Sequence, residues 1–150
     1  MLPDTIELEV VTPERHVLHE TVRSLELPGK EGYLGILPGH APLITMLGVG
    51  ILTYRRGVEV RCLTIIGGYG EVLPDRVIVL AEISERAEEI DVERSRTALG
   101  RAQAFLAKAA SPDVDWERAA FALERAMIRL QAASRGSGIA SGHESLYSMP

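Results

Sequence analysis

The stretch Val77-Ile78-Val79-Leu80-Ala81-Glu82-Ile83-Ser84, followed by Glu85-Arg86-Ala87-Glu88-Glu89-Ile90-Asp91-Val92-Glu93-Arg94-Ser95, contains a change of alphabet. Up to Ser84 the chain is rich in Val, Ile, Leu, Thr and Tyr and is cut by Gly and Pro about every 8 to 12 residues, the pattern of short antiparallel strands. Ile6, Leu8 and Val10 alternate with Glu7, Glu9 and Val11, and Val22, Leu25 and Leu27 are set among Arg23, Ser24 and Glu26. Side chains on a strand point alternately to its two faces, so this is a half-buried pattern. Turn residues stand at Pro28-Gly29, Pro38-Gly39, Gly48-Val49-Gly50, Arg56-Gly57, Gly67-Gly68 and Pro74-Asp75. These breaks predict about eight to ten strands, too many for one flat sheet with a wet apolar face, and so an antiparallel β-sandwich or flattened barrel.

Beyond Ser84, Ala, Arg, Glu and Leu dominate, and the apolar period lengthens from two to about three and a half. One helix is predicted with Val92, Ser95, Leu99, Ala102, Leu106 and Ala109 on its seam, and a second with Trp116, Ala120, Leu123, Met127, Leu130 and Ser134. Ala110-Ser111-Pro112-Asp113 breaks them, and so short a connection makes antiparallel neighbours. Ile90-Asp91-Val92-Glu93-Arg94 is echoed by Val114-Asp115-Trp116-Glu117-Arg118, with an Asp in each copy where an N-cap is needed. The organisation read from this is α+β: a sandwich over residues 1–87, a helical hairpin over 88–134, and a Gly/Ser-rich tail over 135–150 with too few apolar residues to order itself.

The 150 residues carry 16 Lys+Arg against 21 Asp+Glu, a formal charge of -5. An acidic chain does not suit the phosphate backbone, so no nucleic-acid partner is expected. The apolar runs fall far short of the roughly 20 residues that span a bilayer, and the N-terminus lacks a basic lead-in to an apolar stretch, so neither membrane insertion nor a secretory signal is expected. The single cysteine, Cys62, rules out an internal disulfide. It sits in a strand run as a core thiol. His16 and His19, three apart in a predicted strand, point to opposite faces unless the strand breaks there, and no metal site is expected. No Ser has the context of a nucleophile elbow, and Gly67-Gly68-Tyr69-Gly70 lacks the Lys-Ser/Thr of a phosphate loop, so no catalytic residue is expected. The cluster reads instead as a bulge or tight strand corner. One basic constellation remains. Arg94 and Arg101 share a face of the first helix, and Arg118, Arg125 and Arg129 a face of the second, a set of guanidinium forks suited to phosphate or carboxylate.

The run Gly32-Tyr33-Leu34-Gly35-Ile36-Leu37-Pro38-Gly39-His40-Ala41-Pro42-Leu43, then Gly67-Gly68 leading into a strand, then a helical hairpin containing Ile90-Asp91 and Arg94, resembles the epsilon subunit of the bacterial F-type ATP synthase. The likeness spans roughly residues 4 to 133. It implies a non-catalytic rotor subunit of a proton-translocating machine, peripheral on the cytoplasmic face of the bacterial inner membrane. The implied partners are the gamma subunit and c-ring for the sandwich, through Tyr33 and His40 here, and the alpha/beta catalytic hexamer for the extended hairpin, which restrains ATP hydrolysis. No cofactor is required by that role. Some members bind ATP as a regulatory ligand through an Ile/Leu-Asp-x-x-Arg-Ala motif and neighbouring arginines. Ile90, Asp91 and Arg94 match that motif here, Ser95 stands in place of its Ala, and Glu85, Arg101, Arg125 and Arg129 occupy the matching outer positions. Apart from the resemblance, the residues also fit a free-standing adaptor or ATP-sensing module.

Overall fold

The computed structural model describes residues 2–108, 112 and 115–137. In it the alternating half forms β1 (Ile6–Val11), β2 (His16–Val22), β3 (Ser24–Gly29), β4 (Gly32–Ile36), β5 (Leu43–Arg56), β6 (Glu59–Val72) and β7 (Arg76–Ile83). They join in one sheet, ordered β2-β1-β7-β6-β5-β3-β4. Strands from its two ends share a core: Ile6, Leu8, Val10 and Val22 on one side and Leu25, Leu27 and Ile36 on the other belong to one buried cluster, with Leu52, Leu63 and Ile65 between them. The sheet is therefore folded over on itself as a sandwich, and its apolar faces leave water together.

Two expectations need correction. The described strands number seven, not eight to ten, because Gly48-Val49-Gly50 and Gly67-Gly68 lie inside the long β5 and β6 rather than ending strands. The inward set changes parity at these glycines: Leu47 and Leu52 both face the core on β5, as do Ile65 and Val72 on β6. A period-two pattern that slips by one residue reads along the sequence as an interruption. Gly67 and Gly68 have φ of +70 and +121, and a Cβ at Gly68 would collide with the Leu80 carbonyl oxygen, so the crowded corner requires glycine. The sheet is also not wholly antiparallel, since β1 and β7 run parallel with Leu8 beside Val77.

A 3₁₀ turn at Ala87–Glu89 leads to α1 (Val92–Ala107) and then α2 (Trp116–Ser137). Each helix opens on its predicted cap: Asp91 Oδ1 accepts from Arg94 N at 3.0 Å and Asp115 Oδ1 from Arg118 N at 3.1 Å. These bonds satisfy amides that a helix start leaves without partners. The seam of α1 is close to the prediction, with Ser95 and Ala102 buried. That of α2 is displaced. Trp116, Ala120 and Met127 are exposed, while Ala119, Ala126 and Ala132 are buried. The displacement has a reason in packing, because α2 touches two partners, α1 on one side and β5, β6 and the 3₁₀ turn on the other. Alanines on both flanks let the backbone approach each closely. Arg135 and Gly136, placed in the expected tail, continue α2 up to Ser137. The rest of that tail and most of the break at 110–113 lie outside the described residues.

Candidate functional site

Two surfaces carry chemistry, one on the sandwich and one at the junction with the hairpin. On the sandwich, no described residue covers the outer face of β5, β6 and β7 around Ile44, Met46, Tyr69 and Leu80. Cross-strand pairing sets Met46 opposite Tyr69 and Ile44 opposite Glu71, and places Leu80 and Ile78 next to them on β7. Ile44 is 72% exposed, Tyr69 53% and Leu80 55%. Ile44, Tyr69, Gly70, Glu71, Ile78 and Leu80 line a shallow depression there. A contiguous apolar patch of this kind on a water-facing sheet marks an interaction surface, since lone exposed apolar residues are ordinary and clustered ones are not. The alternation contains the signal in part, for Ile44 and Met46 are apolar on the outward register, but without the strand order nothing joins them to Tyr69 and Leu80.

The two expected contact residues are placed apart, one at the start of β4 and one beyond its end. Tyr33 is half exposed, and its hydroxyl accepts a 3.1 Å hydrogen bond from the Ile51 backbone N–H. The β3–β5 ladder shifts register between Glu26 and Gly29, and the tyrosine serves an amide near that irregularity. It lies over Gly50, where a Cβ would come within 2.6 Å of the hydroxyl oxygen. His40 sits in the turn after β4, where its Nδ1–H donates to the Ala41 carbonyl at 2.7 Å. The adjacent Gly39 N–H donates to the Pro74 carbonyl at 2.8 Å, which ties this turn to the one between β6 and β7.

The histidine reading is corrected at β2. A register shift in the β1–β2 pair turns both Val17 and Leu18 inward, so His16 and His19 face the same way, outward. Each meets a carboxylate of β1, His16 Nε2 at 2.7 Å from Glu9 and His19 Nε2 at 3.2 Å from Glu7. Among the described residues no group of His, Cys, Asp and Glu is placed to hold a metal ion.

At the junction, Ile51 and Cys62 from the sandwich meet Ala87 and Ile90 of the linker and Ala132 of α2 in a second buried cluster, with Ile128 and Ala133 against it. The Cys62 thiol donates to the Ala132 carbonyl at 3.6 Å. Burial pushes its pKa above the usual 9, so the covered sulfur is a protonated thiol. Of the residues matching the nucleotide motif, the fold brings Glu85 and Arg129 into direct contact, Oε1 to Nε at 2.6 Å. Ile90 is spent in the second core and Asp91 on its cap. Arg94 and Arg101 are exposed on α1. Arg125 stacks over Phe121 at 4.8 Å from the ring centroid, and its buried Nε has no hydrogen-bond partner among the described residues. Ser95 is buried with its hydroxyl donating to the Asp91 carbonyl at 2.9 Å, so the helix itself satisfies the added oxygen.

The fold is a β-sandwich carrying an exposed apolar face, with a two-helix hairpin packed against its β5–β6 side. Two family models meet at the linker: the beta-sandwich domain of the ATP synthase Delta/Epsilon chain matches residues 5–87, and its long alpha-helix domain residues 88–134. The chain belongs to this family, as an epsilon-type subunit of the F-type ATP synthase central stalk. It is 48% identical to the ATP synthase epsilon chain of Solibacter usitatus, over 89% of this chain and 99% of that one. Against the epsilon chain of Geobacter sulfurreducens it is 42% identical, over 91% and 99%. Among solved structures it is similar to a chain of the Euglena gracilis mitochondrial ATP synthase (OSCP/F1/c-ring), with a TM-score of 0.74, 30% identity and coverage of 89% of this chain and 84% of that one. A chain of the Tetrahymena thermophila central stalk/c-ring, at 16% identity and a TM-score of 0.54, shares the fold. No helix among the described residues is long and apolar enough to cross a membrane.

Proposed function

We propose that the sandwich docks by its outer β5–β6–β7 face on the gamma subunit, and by the turns around Tyr33 and His40 on the c-ring side, so that the chain turns with the rotor and contributes no catalytic group. The exposed face of Ile44, Met46, Tyr69 and Leu80 carries this reading. A folded sandwich suits the work because packed interiors are barely compressible and pass torque without deforming. The test is co-purification from detergent-solubilised membranes of the bacterium. The chain is expected with the alpha/beta hexamer and c-ring together, and a chain recovered free of both supports the adaptor reading instead.

The hairpin is the regulatory part. Folded down it rests on the small second core, built from few large side chains, and so small an interface lets docked and released arrangements differ by only a few kcal/mol. Released, its exposed arginines on α1 would reach carboxylates of the catalytic hexamer and restrain hydrolysis. ATP, as a regulatory ligand, would favour the docked state by engaging Arg125, whose Nε lacks a partner among the described residues, and by competing with Glu85 for Arg129. Calorimetric titration of the full chain checks the nucleotide: heat is expected with ATP, and none at millimolar ligand removes it. Truncation after Asp91 checks the restraint. The complex should assemble and hydrolyse ATP faster, and unchanged hydrolysis would refute the inhibitory role.

A further inference from the structure

The linker between the two domains is held far more firmly at its start than at its end. The Thr64 N–H donates to the Glu85 carbonyl at 2.9 Å, and the Glu85 N–H to Thr64 Oγ1 at 3.0 Å, so the chain leaving β7 stays bonded to β6. Arg86 extends this with a bridge to Leu63. Glu89, at the end of the 3₁₀ turn, is then held from a third element. Arg15, in the β1–β2 turn, donates from Nη1 to Oε1 at 3.1 Å and from Nη2 to Oε2 at 2.6 Å. Arg86 adds bonds from Nε and Nη2 to Oε1, at 3.0 and 2.6 Å, and from its backbone N–H to Oε2 at 3.3 Å. Arg15 is itself fixed, since its N–H donates to Thr12 Oγ1 at 3.2 Å and its carbonyl accepts from the Thr12 N–H at 2.9 Å.

A lone surface ion pair contributes little, but a bidentate fork sharing its carboxylate with a second guanidinium and a backbone amide is the geometry in which such pairs hold. Beyond Glu89 the tethers change owner. Asp91 is bonded to Arg94 as the cap of α1 and so belongs to the helix. Ile90 lies between, extended at φ −73 and ψ 124, with its side chain in the second core as its hold on the sandwich.

We infer that the Arg15–Glu89–Arg86 cluster is an anchor that keeps residues 84–89 on the sandwich when the hairpin lifts, and that the hinge is the Ile90–Asp91 segment. This rests on the release of the hairpin proposed above. The anchor means that release separates α2 from Cys62 while the linker stays bonded, so the hairpin swings from one fixed point rather than peeling off β6. It also gives the β1–β2 turn a part in the switch, since Arg15 is 74 residues from its carboxylate in sequence.

The test compares two openings in the full chain. Alkylation of Cys62 reads the lifting of α2, and amide hydrogen exchange at Glu89, whose N–H donates to the Arg86 carbonyl at 2.9 Å, reads the linker. In the native chain the Glu89 amide is expected to stay protected through openings that expose Cys62, by about tenfold or more. In Arg15→Met and in Glu89→Gln that margin is lost, while the Glu85 amide and the core amides of β5 keep theirs. If the Glu89 amide exchanges together with Cys62 exposure in the native chain, the anchor is wrong and hairpin release stands. If Cys62 reacts only on global unfolding, release and anchor fail together.

Discussion

Replacing Gly136 by alanine should drive the hairpin off the sandwich. A Cβ built at Gly136 lies 2.6 Å from the Ala87 Cβ, about 1 Å inside an ordinary carbon–carbon contact of about 3.5–4.0 Å. Ala87 has no rotatable side chain to move aside, and it is buried in the second core, so α2 or the linker has to shift. Overpacking of this kind costs about 1–3 kcal/mol. The better helix propensity of alanine, at most about 1 kcal/mol, does not offset it: for an α2 that lifts off as an intact helix, the gain cancels between the two states. The net shift of about 1–3 kcal/mol toward release is a factor of about 5 to 150 in the open population. Cys62 reports it, since the thiol is covered by Ala132 when docked and free when α2 lifts. Its alkylation rate in Gly136→Ala should rise by that factor. Gly100→Ala is the control: no described residue lies within 4 Å of its added Cβ on the exposed side of α1, so helix stability should rise and the Cys62 rate stay put. An unchanged or slower rate in Gly136→Ala would refute the close α2–linker contact on which the docking argument depends.

Three further outcomes follow from the geometry. Tyr33→Phe removes the acceptor of the Ile51 N–H and should lower stability by about 1 kcal/mol in chemical denaturation, because a part-buried amide loses its partner. Comparing it with Tyr33→Ala in rotor assembly separates the internal bond from any contact made by the ring. Ile44→Glu or Tyr69→Glu, both on exposed positions of the outer face, should leave the melting temperature nearly unchanged and abolish recovery with the gamma subunit. Glu89 should titrate by carboxyl NMR at about 2 instead of 4.5. The fork from Arg15 is the main cause, opposed by desolvation and helped by Arg86. The folded value is depressed, so the stabilisation is whole above the unfolded value of 4.5 and is lost as the pH falls from there through about 2.

The alternation of Ile6, Leu8 and Val10 and the change of period after Ser84 made the two architectures readable, because burial on one face of a strand or helix writes itself into the order of residues. The caps were readable too, since Asp91 and Asp115 act within one turn. What the sequence hid depends on parity and on partners distant in the chain. The glycines inside β5 and β6 look like turns until the pairing shows them as a corner where the inward set slips by one. The seam of α2 departs from the simple periodic stripe because two partners, not one, select its buried residues. The arginines were visible as stripes, yet the contact of Arg129 with Glu85 spans 44 residues, and the partners of Glu89 include a turn 74 residues away. The apolar face needed the β5–β6–β7 order before four scattered residues became one surface.

On the proposed reading, a hairpin docked on Cys62 and Ile51 is the permissive state, and its release would restrain hydrolysis. Ala132→Cys puts a second thiol in the buried cluster beside Cys62, whose sulfur lies 3.6 Å from the residue 132 carbonyl oxygen. Incorporated in the ATP synthase and oxidised, the cross-linked chain should give the same hydrolysis rate as the chain truncated after Asp91. Reduction should bring the restraint back. Equal hydrolysis in the oxidised and reduced complexes, with the cross-link verified by mass, would contradict the account.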